Sequence, residues 1–96
     1  SLLQLKPILK MHDGKPETER VRTREKAFTR LVELLAEAGE LSRVAIVHTH
    51  AWDKVAELRQ RAAHLLPSGS IPVADITPVI GAHIGPGAVG FALVSS

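Results

Sequence analysis

Near the C-terminal end, the stretch VIGAHIGPGAVG places His83 and Pro86 among Gly81, Gly85, Gly87 and Gly90, with apolar residues on both sides. Glycine is used where the backbone must take a positive φ or approach another group closely, and it costs conformational entropy on folding. Such density marks a shaped loop. Pro86 stiffens it and removes one backbone donor, while His83 is its only side chain able to carry or move a proton near neutral pH. Backbone amides bared by glycine, with one imidazole beside them, suit a carboxylate or phosphate head group. The spacing is not the GxGxxG of a dinucleotide site, a strand and not a helix is expected to follow, and the Lys-Ser/Thr of a P-loop is absent. No Ser, Cys or acidic residue stands close in sequence to His83, so these residues do not compose a nucleophile, base and orienter. A purely structural tight turn is the plain alternative.

Two further clusters could do chemistry. VRTREK brings Arg20, Arg22, Arg24 and Lys26 to a helix start, where guanidinium groups and free amides together can receive a phosphate or carboxylate. The competing reading is a solvated charged face balanced by Glu17, Glu19 and Glu25. His48 and His50 stand two apart on an expected strand, so both would point to one face and could ligate a metal. No Cys or nearby carboxylate completes that set, and a strand end meeting a loop explains the pair equally; no metal site is assigned. His12 and His64 read as surface residues. Trp52 reads as a cover over the start of a helix, with an interface role as the alternative.

These residues need a scaffold, and the periodicity supplies one. LLQLKPILKM reads as an edge strand interrupted at Pro7; HDGKPE turns the chain through Asp13-Gly14; TERVR is expected to return as the second strand of a hairpin. A helix follows, with Thr23 as N-cap, Glu25 in the first turn and Ala27, Phe28, Leu31, Leu34, Leu35 and Ala38 on its apolar face until Gly39 stops it. Val44 to Val47 form an unbroken apolar run, the pattern of a strand buried on both faces at the sheet centre. WDKVAELRQRAAHLL returns to helical period through Val55, Leu58, Ala62 and Leu65, and Pro67 with Gly69 ends it. IPVADITPVI reads as β-rich but broken by Pro72 and Pro78, and GAVGFALVS as the last strand. The expected order is ββαβαββ, an α+β fold with two helices packed on a mixed or largely antiparallel sheet.

Composition bounds the rest. With 96 residues the chain makes one small domain, and 45% hydrophobic with 23% charged residues suits a globular fold. Aromatic residues are 3%, so Leu, Ile, Val and Ala must build the core. A net charge of +2, with basic and acidic residues interleaved, gives no basic stripe for nucleic acid despite a pI near 9.4. The lack of cysteine excludes disulfides and thiol chemistry and fits a reducing compartment. No apolar run is long enough to span a bilayer, and neither a charged n-region nor a cleavage signal precedes the first apolar stretch, so a cytoplasmic location is the expectation. The chain opens without methionine in an apolar stretch, as a segment from within a longer chain would.

LLQLKPILKMHDGKPETERVRTREKAFTRLVELL followed by ITPVIGAHIGPGAVGFAL resembles the C-terminal part of the DegV family of bacterial fatty-acid-binding proteins, in which LLxIKPIL…DG…VRTRxKA and GPVIGxHxGPGALG recur in this order. Thr77 stands where that family usually has glycine, and Ala82 and Ile84 flank the histidine where small or hydroxylated residues are common. The resemblance implies an EDD fold, with residues 1–96 as a partial C-terminal lipid-binding domain of a two-domain protein. It implies a long-chain fatty acid in an apolar tunnel, and a separate fatty-acid kinase to which the carboxylate is presented for acyl-phosphate formation. Such a protein is a carrier and not an enzyme, uses no cofactor and touches membranes only transiently. By position in the motif, His83 is the head-group or phosphoryl-transfer histidine, and Arg22, with Arg20 and Arg24 as rivals, the arginine that engages kinase or phosphate. Gly81, Gly85 and Gly87 shape the loop, and Ile80, Ile84 and Phe91 touch the acyl chain. Two other readings stay open: a small regulatory domain binding an anionic effector, and a fragment of a dihydroxyacetone-kinase-like phosphotransfer protein.

Overall fold

The first clear element is the helix announced by Thr23, whose Oγ1 accepts the Lys26 N–H at 3.1 Å, a cap of about 1 kcal/mol. This helix, α1 (Arg24–Glu37), buries Ala27, Phe28, Leu31 and Leu35 on one face and ends before Gly39, whose φ of 71° only glycine takes without strain. The computed structural model describes residues 8–12, 15–19, 21–39 and 41–95. Pro7 and the residues before it, as well as Asp13, Gly14 and Arg20, on which part of the sequence analysis rests, lie outside them.

Strands β1 (Ile8–His12) and β2 (Lys15–Thr18) pair antiparallel, and the register His12↔Lys15 leaves two residues for the turn, as the hairpin expectation required. The return strand runs from Lys15 to Thr18 and does not begin at Thr18. Pro16 is tolerated there because β2 lies at the sheet edge. β3 (Leu41–His48) leads to helix α2 (Trp52–Arg61), then to the three-residue β4 (Val73–Asp75), a third helix α3 (Thr77–Ile84) and β5 (Val89–Ser95). The five strands lie in the order β2-β1-β5-β3-β4, with β3 antiparallel to β5 and parallel to β4, a mixed sheet in an α+β fold.

The third helix corrects the expected ββαβαββ order: ITPVIGAHI is helical. Its start is set by Asp75, whose Oδ1 accepts the Thr77 N–H at 2.9 Å and the Thr77 hydroxyl at 2.5 Å, while Pro78 falls in the first turn, where a missing N–H costs nothing. The α2 helix also stops earlier than its periodicity implied, at Arg61, with turns through Leu65.

Because side chains alternate along β3 and β5, the sheet has two different faces. Val44, Ile46, Val89 and Phe91 point to α1 and α2 and close a core with Phe28, Leu31, Leu35, Val55 and Leu58. Val47 and Ala88 point the other way and meet Ile76, Ile84 and Ala92. Over the first core, α1 and α2 are tied by an ion network. Arg24 meets Asp53 at 3.2 Å and Glu57 at 3.0 Å, and Arg61 meets Glu57 at 2.7 Å and also Glu25. Both guanidinium groups lie over the Phe28 ring, 5.4 and 5.0 Å from its centroid. Together they align the two helices with their N-termini at the same end of the sheet.

Candidate functional site

That end collects the polar features of the fold. The carboxyl ends of β3 and β4, the N-termini of α1 and α2 and the turn entering β5 meet there, which is where ligands sit in many sheet-and-helix folds. The glycine-rich stretch divides into two parts. Ile80, Gly81 and His83 belong to α3, and their side chains lie outside the described residues. Gly81 thus stands in a helix, which corrects its reading as a loop-shaping residue. Gly85 and Gly87 do shape the turn, with φ of 78° and 91°.

One residue holds that turn. Thr49, fully buried just past the end of β3, donates its N–H to Ala88 O at 2.9 Å and accepts the Gly87 N–H on its carbonyl at 2.6 Å. Its hydroxyl donates to Gly85 O at 2.7 Å and accepts the Ala88 N–H at 2.9 Å. Thr49 therefore meets Gly85 O, Gly87 N–H and both main-chain groups of Ala88 with main chain and side chain alike. The amides of Gly87 and Ala88 are taken up within the protein, and Pro86 has none. This corrects the expectation that the turn's amides await an anion: glycine serves the conformation here.

Lys54, in the first turn of α2, donates from Nζ to Gly87 O at 2.5 Å. Burial holds its ammonium below the usual lysine range. His48 and His50 do not share a face. His48 is fully buried, and its Nδ1 accepts the Ala51 N–H at 3.0 Å in place of a side-chain N-cap for α2, so Nε2 carries the proton. The chain then bends through His50, at φ 49°, whose Nδ1 lies 3.2 Å from Asp75 Oδ2. The hydrogen bonds from Thr77 hold the Asp75 carboxyl below its ordinary range. Trp52 meets the His48 ring edge-on at 4.5 Å between centroids yet is 62% exposed, so it both covers and presents apolar surface.

Of the arginines, Arg24 is engaged with Asp53 and Glu57, whereas Arg22 is exposed ahead of α1 with no ion pair among the described residues. Ile84 lies on the α3 face of the sheet, packed against Val47 and Ala88. Phe91 is 2% exposed on the opposite face, where it is a core residue and closed to an outside ligand; this corrects its reading as an acyl contact. Thr49, Lys54 and Asp75 were not singled out from sequence. Asp-x-Thr-Pro was a legible helix start, but nothing local marked Thr49 or Lys54, whose partners lie more than thirty residues away. Among the described residues, clefts of about 480 Å³ occur between α1 and α2, lined by Phe28, Val32 and Leu65, and beyond α2, lined by Leu66, Pro67 and Ile71. Both are open grooves away from the turn.

Comparison with known proteins agrees with this fold. A family model described as an uncharacterised protein of the DegV family matches residues 1–96. A DegV domain-containing protein of Streptococcus pneumoniae is 40% identical over 98% of this chain and 35% of its own length. Protein DegV of Bacillus subtilis is 36% identical over 94% of this chain and 34% of its own. Among solved structures, a fatty acid binding DegV family protein from Streptococcus agalactiae superposes with a TM-score of 0.70 at 32% identity, covering 90% of this chain and 32% of that one. A DegV family protein from Corynebacterium glutamicum gives 0.66 at 33% identity, covering 88% and 34%. The chain spans about a third of the length of these relatives.

Proposed function

The chain belongs to the DegV family, and on that premise we propose that it contributes the C-terminal lipid-binding region of a fatty-acid carrier. The observation that carries this reading is the juxtaposition at one sheet end of a clamped Gly-Pro-Gly turn, the last turn of α3 with His83, and a smooth apolar sheet face. On that face Val47 stands opposite Gly90 and Ala45 opposite Ala92, so these paired positions of β3 and β5 carry only small or β-branched apolar side chains, with Ile76 and Ile84 packed beside them. An extended acyl chain needs such an apolar surface with a few fixed polar groups at one end. Ile84 flanks it. His83 is assigned to the carboxylate, and a second region of the natural chain is assigned the remaining walls of the tunnel.

The function is carriage and not catalysis: the bound carboxylate is presented to a separate fatty-acid kinase for acyl-phosphate formation. Arg22 is the arginine assigned to that encounter, because Arg24 already serves the α1–α2 tie.

Native mass spectrometry of the natural chain carrying these residues, followed by organic extraction, tests the reading. A mass increment matching a fatty acid, weakened by His83→Ala, is the expected result. A folded protein that stays empty when offered fatty acids would remove it.

A further inference from the structure

A carboxylate placed beside the Gly-Pro-Gly turn must be met by side chains. From Pro86 to Ala88 the turn offers no free amide, and α3 runs into it with its C-terminal end, the negative end of the helix dipole. The carbonyls of Gly85 and Gly87 already accept from Thr49 and Lys54. Some fixed positive charge is therefore required close by.

Resting on the fatty-acid reading above, we infer that Lys54 is a further head-group-binding residue, whose ammonium makes the site select an anionic over a neutral lipid. The residue stands where a cation is otherwise disfavoured. It lies half-buried in the first turn of α2, at the positive end of that helix; burial weighs most against its charge, the neighbouring Asp53 carboxylate offsets part of that, and Arg24 adds a second positive charge nearby. The adjacent carboxylate, Asp53, is paired with Arg24, and no carboxylate pairs with Lys54 among the described residues. A lysine free to choose would swing its flexible stem into water, yet this one is half-buried with one N–H fixed on Gly87 O.

The turn is shaped to admit it. A Cβ at Gly87 would come within 3.1 Å of Nζ, so glycine there serves the φ of 91° and the room for the ammonium together. Lysine has three N–H donors, and with one held by Gly87 two remain for a ligand oxygen. A bound anion would compensate the burial of the ammonium and the repulsion from Arg24 beyond what Asp53 supplies; a neutral head group would not.

The test uses the natural chain carrying these residues and two probes of the same hydrocarbon, oleate and oleyl alcohol, with dissociation constants measured for wild type, Lys54→Met, Lys54→Gln and Lys54→Arg. Both uncharged variants are expected to lose about tenfold or more for oleate, as a charged hydrogen bond implies, while oleyl alcohol changes by less than about twofold. Lys54→Arg should restore most of the preference for the acid. Equal weakening of both probes would make Lys54 a strut for the turn and overturn the inference. Unchanged oleate binding in Lys54→Met and Lys54→Gln would overturn it as well. Wild type that binds neither probe would defeat the fatty-acid reading itself, and the role of Lys54 with it. Thermal melts of each variant separate lost folding from lost binding, and the glutamine variant keeps a donor for Gly87 if the methionine variant unfolds.

Discussion

On the α1/α2 side of the sheet, Phe28, Leu31, Ile46, Leu58 and Phe91 interlock, each 2% exposed or less. On the α3 side the strands carry Ala45, Val47, Gly90 and Ala92, with Val47 and Ala88 as the buried pair. The first side gains its stability from apolar volume, and each large side chain fully buried there contributes roughly 1.5–3 kcal/mol. The second has little volume to bury and is positioned by directed hydrogen bonds: Lys54 donates to Gly87 O, and Thr49 and Asp75 accept from Ala88 and Thr77 N–H groups. One face holds the domain together, and the other leaves a smooth surface beside a geometrically defined turn. On the proposed function, that division would let a ligand bind and leave the α3 side without unpacking the core.

The largest effect that can break this comparison is on the core side. Phe28→Ala should cost about 3–5 kcal/mol, read by chemical denaturation, because it opens a cavity beneath both guanidinium groups. A loss under about 1 kcal/mol would mean that this side is not where the stability resides.

A smaller and more local effect is expected at the turn. Thr49→Val keeps the shape but leaves Gly85 O and Ala88 N–H without their partner, at a cost of about 1–3 kcal/mol. Faster hydrogen exchange at Ala88 should accompany it, and Thr49→Ser should recover most of the loss. Unchanged exchange in the valine variant would show that the hydroxyl does not hold the turn.

The smallest effect is electrostatic and touches both sides. The hydrogen bond from Arg61 holds the Glu25 carboxyl below its ordinary 4.5, and those from Thr77 hold Asp75 below 3.8. A carboxyl lowered on folding stabilises the native state fully above its unfolded pKa, and that contribution is lost as pH falls through the folded value. The thermal midpoint should thus decline modestly on acidification below these ordinary values. Glu25→Gln should flatten the part that belongs to the helix tie and Asp75→Asn the part that belongs to α3. A profile unmoved by either variant would remove these carboxyls from the comparison.

Much of the scaffold was legible before folding. Thr23 as cap, Gly39 as stop, the spacing of Phe28, Leu31 and Leu35, the pairing of β1 with β2 and the apolar run of β3 are local signals, and each states its structure within a few residues. The third helix is not what periodicity suggests, because Pro78 reads as a break in a β-rich segment and Gly81 as part of a loop, although proline in a first turn costs no hydrogen bond. Phe91 was read as an acyl contact because its apolar character is local, while the face it points to depends on strand register.

The residues that give the site its shape lay further out of reach. Sequence alone determined that glycines around His83 would shape the backbone, and Gly85 and Gly87 do take positive φ, while Gly81 and Gly90 fall in α3 and β5. Only the tertiary structure decided who holds the turn. Thr49 reaches Ala88 across 39 positions and Lys54 reaches Gly87 across 33, contacts that exist because β3 pairs antiparallel with β5 and α2 packs back over the same sheet end. A hydrogen bond over such distances leaves no periodicity in the chain, because it is set by strand register and helix packing and not by neighbours in sequence.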